Sequence, residues 1–109
     1  MVIKVDIKKE IKENTIKFSL DGRLDSTTAV QFEADMQLEI KNQLIIGKIT
    51  TLIFDLKGLD YISSAGLRVI LSAKKNMDKL GGIFVVKGVN RNIREVFKMT
   101  GFEKVLTIE

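Results

Sequence analysis

The chain has 109 residues and a hydrophobic content of 45%, which suits one globular domain, residues 1–109, built around one core. It contains no Cys and no His, which excludes disulfides, thiol nucleophiles and thiolate metal sites and removes the commonest general base and metal ligand. The formal charge of +4 comes from basic residues mixed with acids through most of the chain, a pattern of solvated faces rather than of a nucleic-acid surface.

From the N-terminus, Val2 to Lys9 alternates Val and Ile with Lys and Asp, so Ile3, Val5 and Ile7 share one side of a half-buried strand. The same alternation, in place of an apolar run, argues against a signal peptide. The polar segment Lys8 to Asn14 reads as a turn. Thr15 to Leu20 alternates again, with Ile16, Phe18 and Leu20 on one side, and the short gap predicts an antiparallel pair. Asp21-Gly22 is expected to close this unit. Asp25-Ser26 then offers a helix cap, and Ala29, Phe32, Met36, Ile40 and Leu44 follow at steps of three or four as an apolar stripe. Leu38 falls off the stripe and reads as an exposed apolar residue. Leu44 to Ile49 is unusually apolar for a connection, and is expected to fold under the sheet with Gly47 as the helix stop. Thr51 to Leu56 is an apolar run interrupted only by Asp55, which predicts a strand covered on both faces.

The next stretch, Asp60-Tyr61-Ile62-Ser63-Ser64-Ala65-Gly66-Leu67-Arg68-Val69-Ile70-Leu71, is where strand gives way to helix. Ser63 or Ser64 can cap that helix by accepting hydrogen bonds from the free amides of its first turn. The same amides and the helix dipole favour negative charge, so a phosphate on either hydroxyl would be tolerated there. Gly66, Ile70, Ala73, Met77 and Leu80 form the helix stripe, with Leu67 and Leu71 beside it, and Gly81-Gly82 ends it, one of the two in a left-handed conformation. Met77 reads as core filler. Ile83 to Val86 is a buried strand, and Asn90-Arg91-Asn92 opens a short helix with Ile93, Val96 and Phe97 inward and Thr100-Gly101 at its end. Val105 to Ile108 is a last short strand. Helices alternating with strands predict an α/β fold: a mixed, mostly parallel sheet with an antiparallel edge strand, packed against about three helices.

Three segments carry a family resemblance. Phe54-Asp55-Leu56-Lys57-Gly58-Leu59-Asp60-Tyr61-Ile62-Ser63-Ser64-Ala65-Gly66-Leu67 resembles the signature of STAS domains, which include the bacterial anti-sigma factor antagonists. Leu20-Asp21-Gly22-Arg23-Leu24-Asp25 is similar to the Gly-x-Leu-Asp turn of that family, and the elements around Gly81-Gly82 and Arg94-Glu95-Val96-Phe97 follow its order. The resemblance covers nearly the whole chain. In antagonists an Asp-Ser-Ser/Thr-Gly segment carries a phosphorylated serine, and alignment on Gly66 puts that phosphoacceptor at Ser64. Ser63 then stands where antagonists often have Asp, and Ala65 where they have a second Ser or Thr. The candidate partner contacts are Asp25, Tyr61, Ser63, Ser64, Gly66 and Arg68. Asp25 matches the family Asp that faces the phosphorylation loop, and also reads as the cap of the first long helix. Tyr61 reads as either a docking contact or packing.

On this resemblance the unmodified protein docks onto an anti-sigma factor, itself a serine kinase, and frees the sigma factor. Phosphorylation at Ser64 ends the interaction and a serine phosphatase restores it. Arg68, Lys74, Lys75 and Lys79 form the densest basic group, which suits an acidic protein partner. No phosphate-loop motif, no activated serine and no acidic cluster appear, so no enzyme activity, cofactor or metal is expected. No run approaches the roughly 20 apolar residues of a membrane span, and a cytoplasmic setting is expected. Two alternatives remain: a STAS scaffold or transport-complex subunit without a phosphate cycle, and a module binding a nucleotide or small anion at the same helix N-terminus.

Overall fold

A computed structural model describes residues 5–109 of the chain; Ile3, expected on the first strand, lies outside the described residues. Strands β1 (Val5–Lys12) and β2 (Thr15–Leu24) form an antiparallel hairpin. Its tight turn is Glu13-Asn14, with Glu13 in the left-handed region at φ 56°. Both strands run further than their alternation suggested. Lys8 to Lys12 is strand, not turn, because β1 is a sheet edge with these side chains exposed, so polar residues cost nothing there. Asp21-Gly22 lies within β2: Gly22, at φ 108°, absorbs an irregularity of the ladder and does not turn the chain.

Helix α1 (Ser26–Ile46), β3 (Thr51–Ile62), α2 (Ser64–Lys79), β4 (Ile83–Lys87), α3 (Arg91–Thr100), a short 3-10 helix (Phe102–Lys104) and β5 (Thr107–Ile108) follow. The sheet order is β1-β2-β3-β4-β5, antiparallel between β1 and β2 and parallel in every other pair. This is the mixed α/β architecture expected of the sequence. Alternate residues of β2 and β3, among them Ile16, Phe18, Leu20, Leu52, Phe54 and Leu56, join the inward stripes of the helices in one core. At its centre Phe18, Phe32, Phe54 and Phe84 meet edge to face, with ring centroids 4.8 to 6.1 Å apart.

Two further expectations are corrected. β3 is buried on one face only: Thr51, Ile53 and Asp55 alternate as half-buried residues on the other face, where Ile53 pairs in register with Val85 and Lys17 reaches Asp55 at 3.8 Å. The end of α1 is not folded under the sheet. Successive helical residues are about 100° apart, so Ile45 and Ile46 turn away from the inward face that carries Ile40, and Leu44, one turn beyond Ile40, is itself 40% exposed. Ile45 and Ile46 are more than three-quarters exposed, and only Ile49, past Gly47, returns to the core. Gly81 ends α2 at φ 71° as expected, Gly101 ends α3 at φ 80°, and Leu38 is exposed.

Candidate functional site

Each helix leaves the carboxyl end of the strand before it, so the three N-caps Asp25, Ser63 and Asn90 lie at one end of the parallel sheet. Open α/β sheets place their sites at this end. Two irregularities in the β2–β3 ladder shape it. β3 gains one residue on β2 between Ser19 and Asp21 and another between Gly22 and Arg23, so that Arg23 pairs with Tyr61 and Leu24 with Ile62. The Asp55 carboxylate accepts from the Lys57 amide at the first of these, at 3.0 Å.

Beyond Ile62 the two serines diverge. Ser63 is the N-cap of α2: its backbone is extended, its hydroxyl accepts from the Gly66 amide at 3.2 Å, and its own amide donates to the Leu24 carbonyl at 2.9 Å. Ser64 is the first residue of the helix and is exposed, and its hydroxyl makes no hydrogen bond among the described residues. Gly66 is buried. A Cβ placed there would lie 2.8 Å from the Leu24 carbonyl oxygen and 2.7 Å from Ile62 Cγ1, so its lack of a side chain lets α2 start against the end of β2. Gly66 therefore shapes the site from within, and its buried position offers no side-chain surface for docking.

The Ser63–Leu24 bond draws the β2–α1 turn against the β3–α2 turn, and brings Asp25 beside the serine pair. Asp25 caps α1. Its Oδ1 accepts from the Thr27 and Thr28 amides at 3.0 Å each, while the Thr28 hydroxyl accepts from the Asp25 amide at 2.8 Å. The amide of Thr28, above all, holds the Asp25 carboxyl below its usual range. The spacing from Asp25 to Thr28 is a capping-box signal that sequence reading passed over. It also missed the guanidinium of Arg23, which lies 4.1 Å from the centre of the Tyr61 ring and holds that ring at the surface of the end formed by the two turns. A pairing across two bulges leaves no trace in either strand alone. Ile62, by contrast, is buried packing.

Arg68 is exposed one helical turn beyond Ser64, and lines the groove between α1 and α2 with Glu33, Lys75 and Lys79. Of the basic group, Lys74 is taken by Asp78 at 2.9 Å. Asp25, Tyr61, Ser63, Ser64 and Arg68 thus lie on one end of the molecule, around the start of α2. Among the described residues no group of three or more acidic side chains could hold a metal ion, and no helix is long and apolar enough to cross a membrane.

This is the fold and loop arrangement of a STAS domain, and residues 6–109 match the STAS domain family. The chain belongs to that family. Relatives of this chain include anti-sigma factor antagonists. It is 35% identical over 89 residues to BtrV of Bordetella bronchiseptica, assigned as an anti-sigma factor antagonist, a match that covers 82% of this chain and 72% of BtrV. Among solved structures, an anti-sigma factor antagonist from Mycobacterium paratuberculosis superposes with a TM-score of 0.81 at 20% identity, covering 95% of this chain and 84% of the other. The antagonist SpoIIAA in its unphosphorylated form superposes at 0.77 with 21% identity, covering 95% and 88%.

Proposed function

We propose that this protein is an anti-sigma factor antagonist whose unmodified form binds an anti-sigma factor kinase, releases the sigma factor, and is switched off by phosphorylation at Ser64. One observation carries the reading: Ser63 alone caps α2, which leaves the adjacent Ser64 hydroxyl exposed and free of hydrogen bonds among the described residues. Such a hydroxyl can attack the γ-phosphorus of ATP, with ADP leaving and the hydroxyl proton passing to a base on the kinase, without disturbing the cap. The family resemblance around Gly66 and the names of the relatives support the same residue and the same partner class. SpoIIAA is also known in a phosphorylated form.

The physics of the switch follows from where the charge would sit. A phosphate brings about −1.5 to −2 charges at neutral pH. At the first residue of α2 the helix dipole tolerates that charge, so the fold persists. In a docked complex it must be desolvated against a surface shaped for a hydroxyl, which is costly unless a partner cation meets it. The protein is then substrate and switch, without catalysis of its own, and a phosphatase resets it. A scaffold role without a phosphate cycle is the second reading, favoured by Ser63 and Ala65 standing where antagonists often carry Asp and a second hydroxyl. Incubation with the cognate anti-sigma kinase and ATP, followed by peptide mapping, separates the two. Phosphate on Ser64 alone is expected. Phosphate on Ser63 or Thr27 with none on Ser64, or none anywhere, would overturn the assignment.

A further inference from the structure

We propose that Arg68 is the internal counter-ion of a phosphate on Ser64, so that modification withdraws this cation from the docking face as well as adding negative charge to it. The inference rests on the reading of Ser64 as the modified residue.

Ser64 and Arg68 are residues i and i+4 of α2, and both are exposed. Residues at that spacing are neighbours on the helix surface, about 5 to 6 Å apart at Cβ. Helical side chains tilt toward the N-terminus, so Arg68 leans back over the turn that carries Ser64. The order is also the favourable one, with the anion N-terminal to the cation. A guanidinium fork can meet two phosphate oxygens at once. Arg68 is free to do so: the ion pairs among the described residues are Lys9–Glu39, Lys17–Asp55 and Lys74–Asp78.

The charged groups on the surrounding elements leave this role to Arg68. Arg23, at the end of β2, is laid on the Tyr61 ring. The Asp25 carboxylate is committed to the amides of α1. Asp60, exposed near the end of β3, and Glu33, across the groove on α1, are anions and would repel the phosphate. In the unmodified protein Arg68 is available to an acidic group on a partner. In the modified protein it is occupied from within. The switch therefore acts twice on the same surface, by adding an anion and by engaging a cation.

The test encodes phosphoserine directly at position 64 of the full chain and follows the phosphate by 31P NMR as pH is varied, so no kinase is needed. The second ionisation of the phosphate, ordinarily near pH 6, should fall lower in this protein than in its Arg68→Gln variant, by about 0.3 unit or more. Arg68→Lys should keep part of that difference, since the charge remains and the fork is lost. Lys75→Gln should leave the titration unchanged: Lys75 lies on the same side of α2 but 11 residues on, about 16 Å away, beyond the screening length at physiological salt. Circular dichroism melts confirm that each variant is folded. Equal titrations with and without Arg68, or an equal effect of Lys75→Gln, would overturn the proposal. Kinase mapping that places phosphate elsewhere would defeat the reading of Ser64 while leaving the pair itself measurable. Mapping to Ser64 with a titration indifferent to Arg68 would defeat the pair and leave the site.

Discussion

Ser63 and Ser64 are adjacent and chemically identical, yet the backbone gives them different work. Ser63 is extended and satisfies the Gly66 amide, while Ser64 already has the helical backbone and turns its hydroxyl to solvent. Their substitutions should separate accordingly. Ser63→Ala removes the cap of α2 and should cost about 1 kcal/mol of unfolding free energy. Ser64→Ala and Ser64→Asp should both stay within about 0.5 kcal/mol of the parent. Urea denaturation of the three variants measures this, and the reverse ranking would mean that Ser64 is the cap. The sequence alone could not divide the pair, since either hydroxyl can accept from a first-turn amide. What divides them is the Ser63 amide bound to Leu24 O, a contact between residues 39 apart in the chain that local spacing does not encode.

At the scale of elements, the helices were the legible part. Ala29, Phe32, Met36 and Ile40 on α1, and Gly66, Ile70, Ala73 and Met77 on α2, are buried at the spacing the sequence displays. Strand ends were not legible. β3 runs six residues past Leu56 to Ile62 through Lys57, Gly58 and Asp60, because its upper half is half-solvated and its bulges break the alternation that marks a strand. β1 continues through Lys8 to Lys12 because an edge strand needs no buried face. The start of α2 yields a prediction whose sign is informative. Gly to Ala within a helix ordinarily stabilises by up to about 1 kcal/mol. At Gly66 the new methyl would sit 2.8 Å from the Leu24 carbonyl oxygen, which is backbone and cannot turn aside. Gly66→Ala should therefore destabilise, by about 1–3 kcal/mol as overpacked sites do. It should also shift the amide resonances of Leu24 and Asp25. A stabilised Gly66→Ala protein would show that the two turns are not in contact.

For the whole molecule, two carboxylates tie stability to pH. The Thr28 amide, chiefly, lowers the Asp25 pKa, and the ammonium of Lys9, 2.6 Å from Glu39, lowers that of Glu39 where β1 crosses α1. With folded pKa values below the unfolded ones, the unfolded chain takes up protons first as pH falls. The stabilisation is therefore complete above about pH 5 and is lost as pH drops through about 4 and below. The urea midpoint should be flat from pH 7 to 5 and fall steadily beneath, with a shallower fall in Glu39→Gln. A midpoint that rises on acidification would contradict the sign. Whether the end of the molecule around Ser64 docks is measured most directly by titration calorimetry against the anti-sigma partner. The unmodified protein and Ser64→Ala should bind alike, because the surface stays neutral and nearly the same size. Ser64→Asp should carry a fixed charge into the interface, at a cost rising to about 3–5 kcal/mol where no cation meets it, which is up to about two decades of affinity or more, and the phosphorylated protein should bind no better than Ser64→Asp. Equal affinities for all four, each folded by its melt, would place Ser64 outside the interface and contradict the switch.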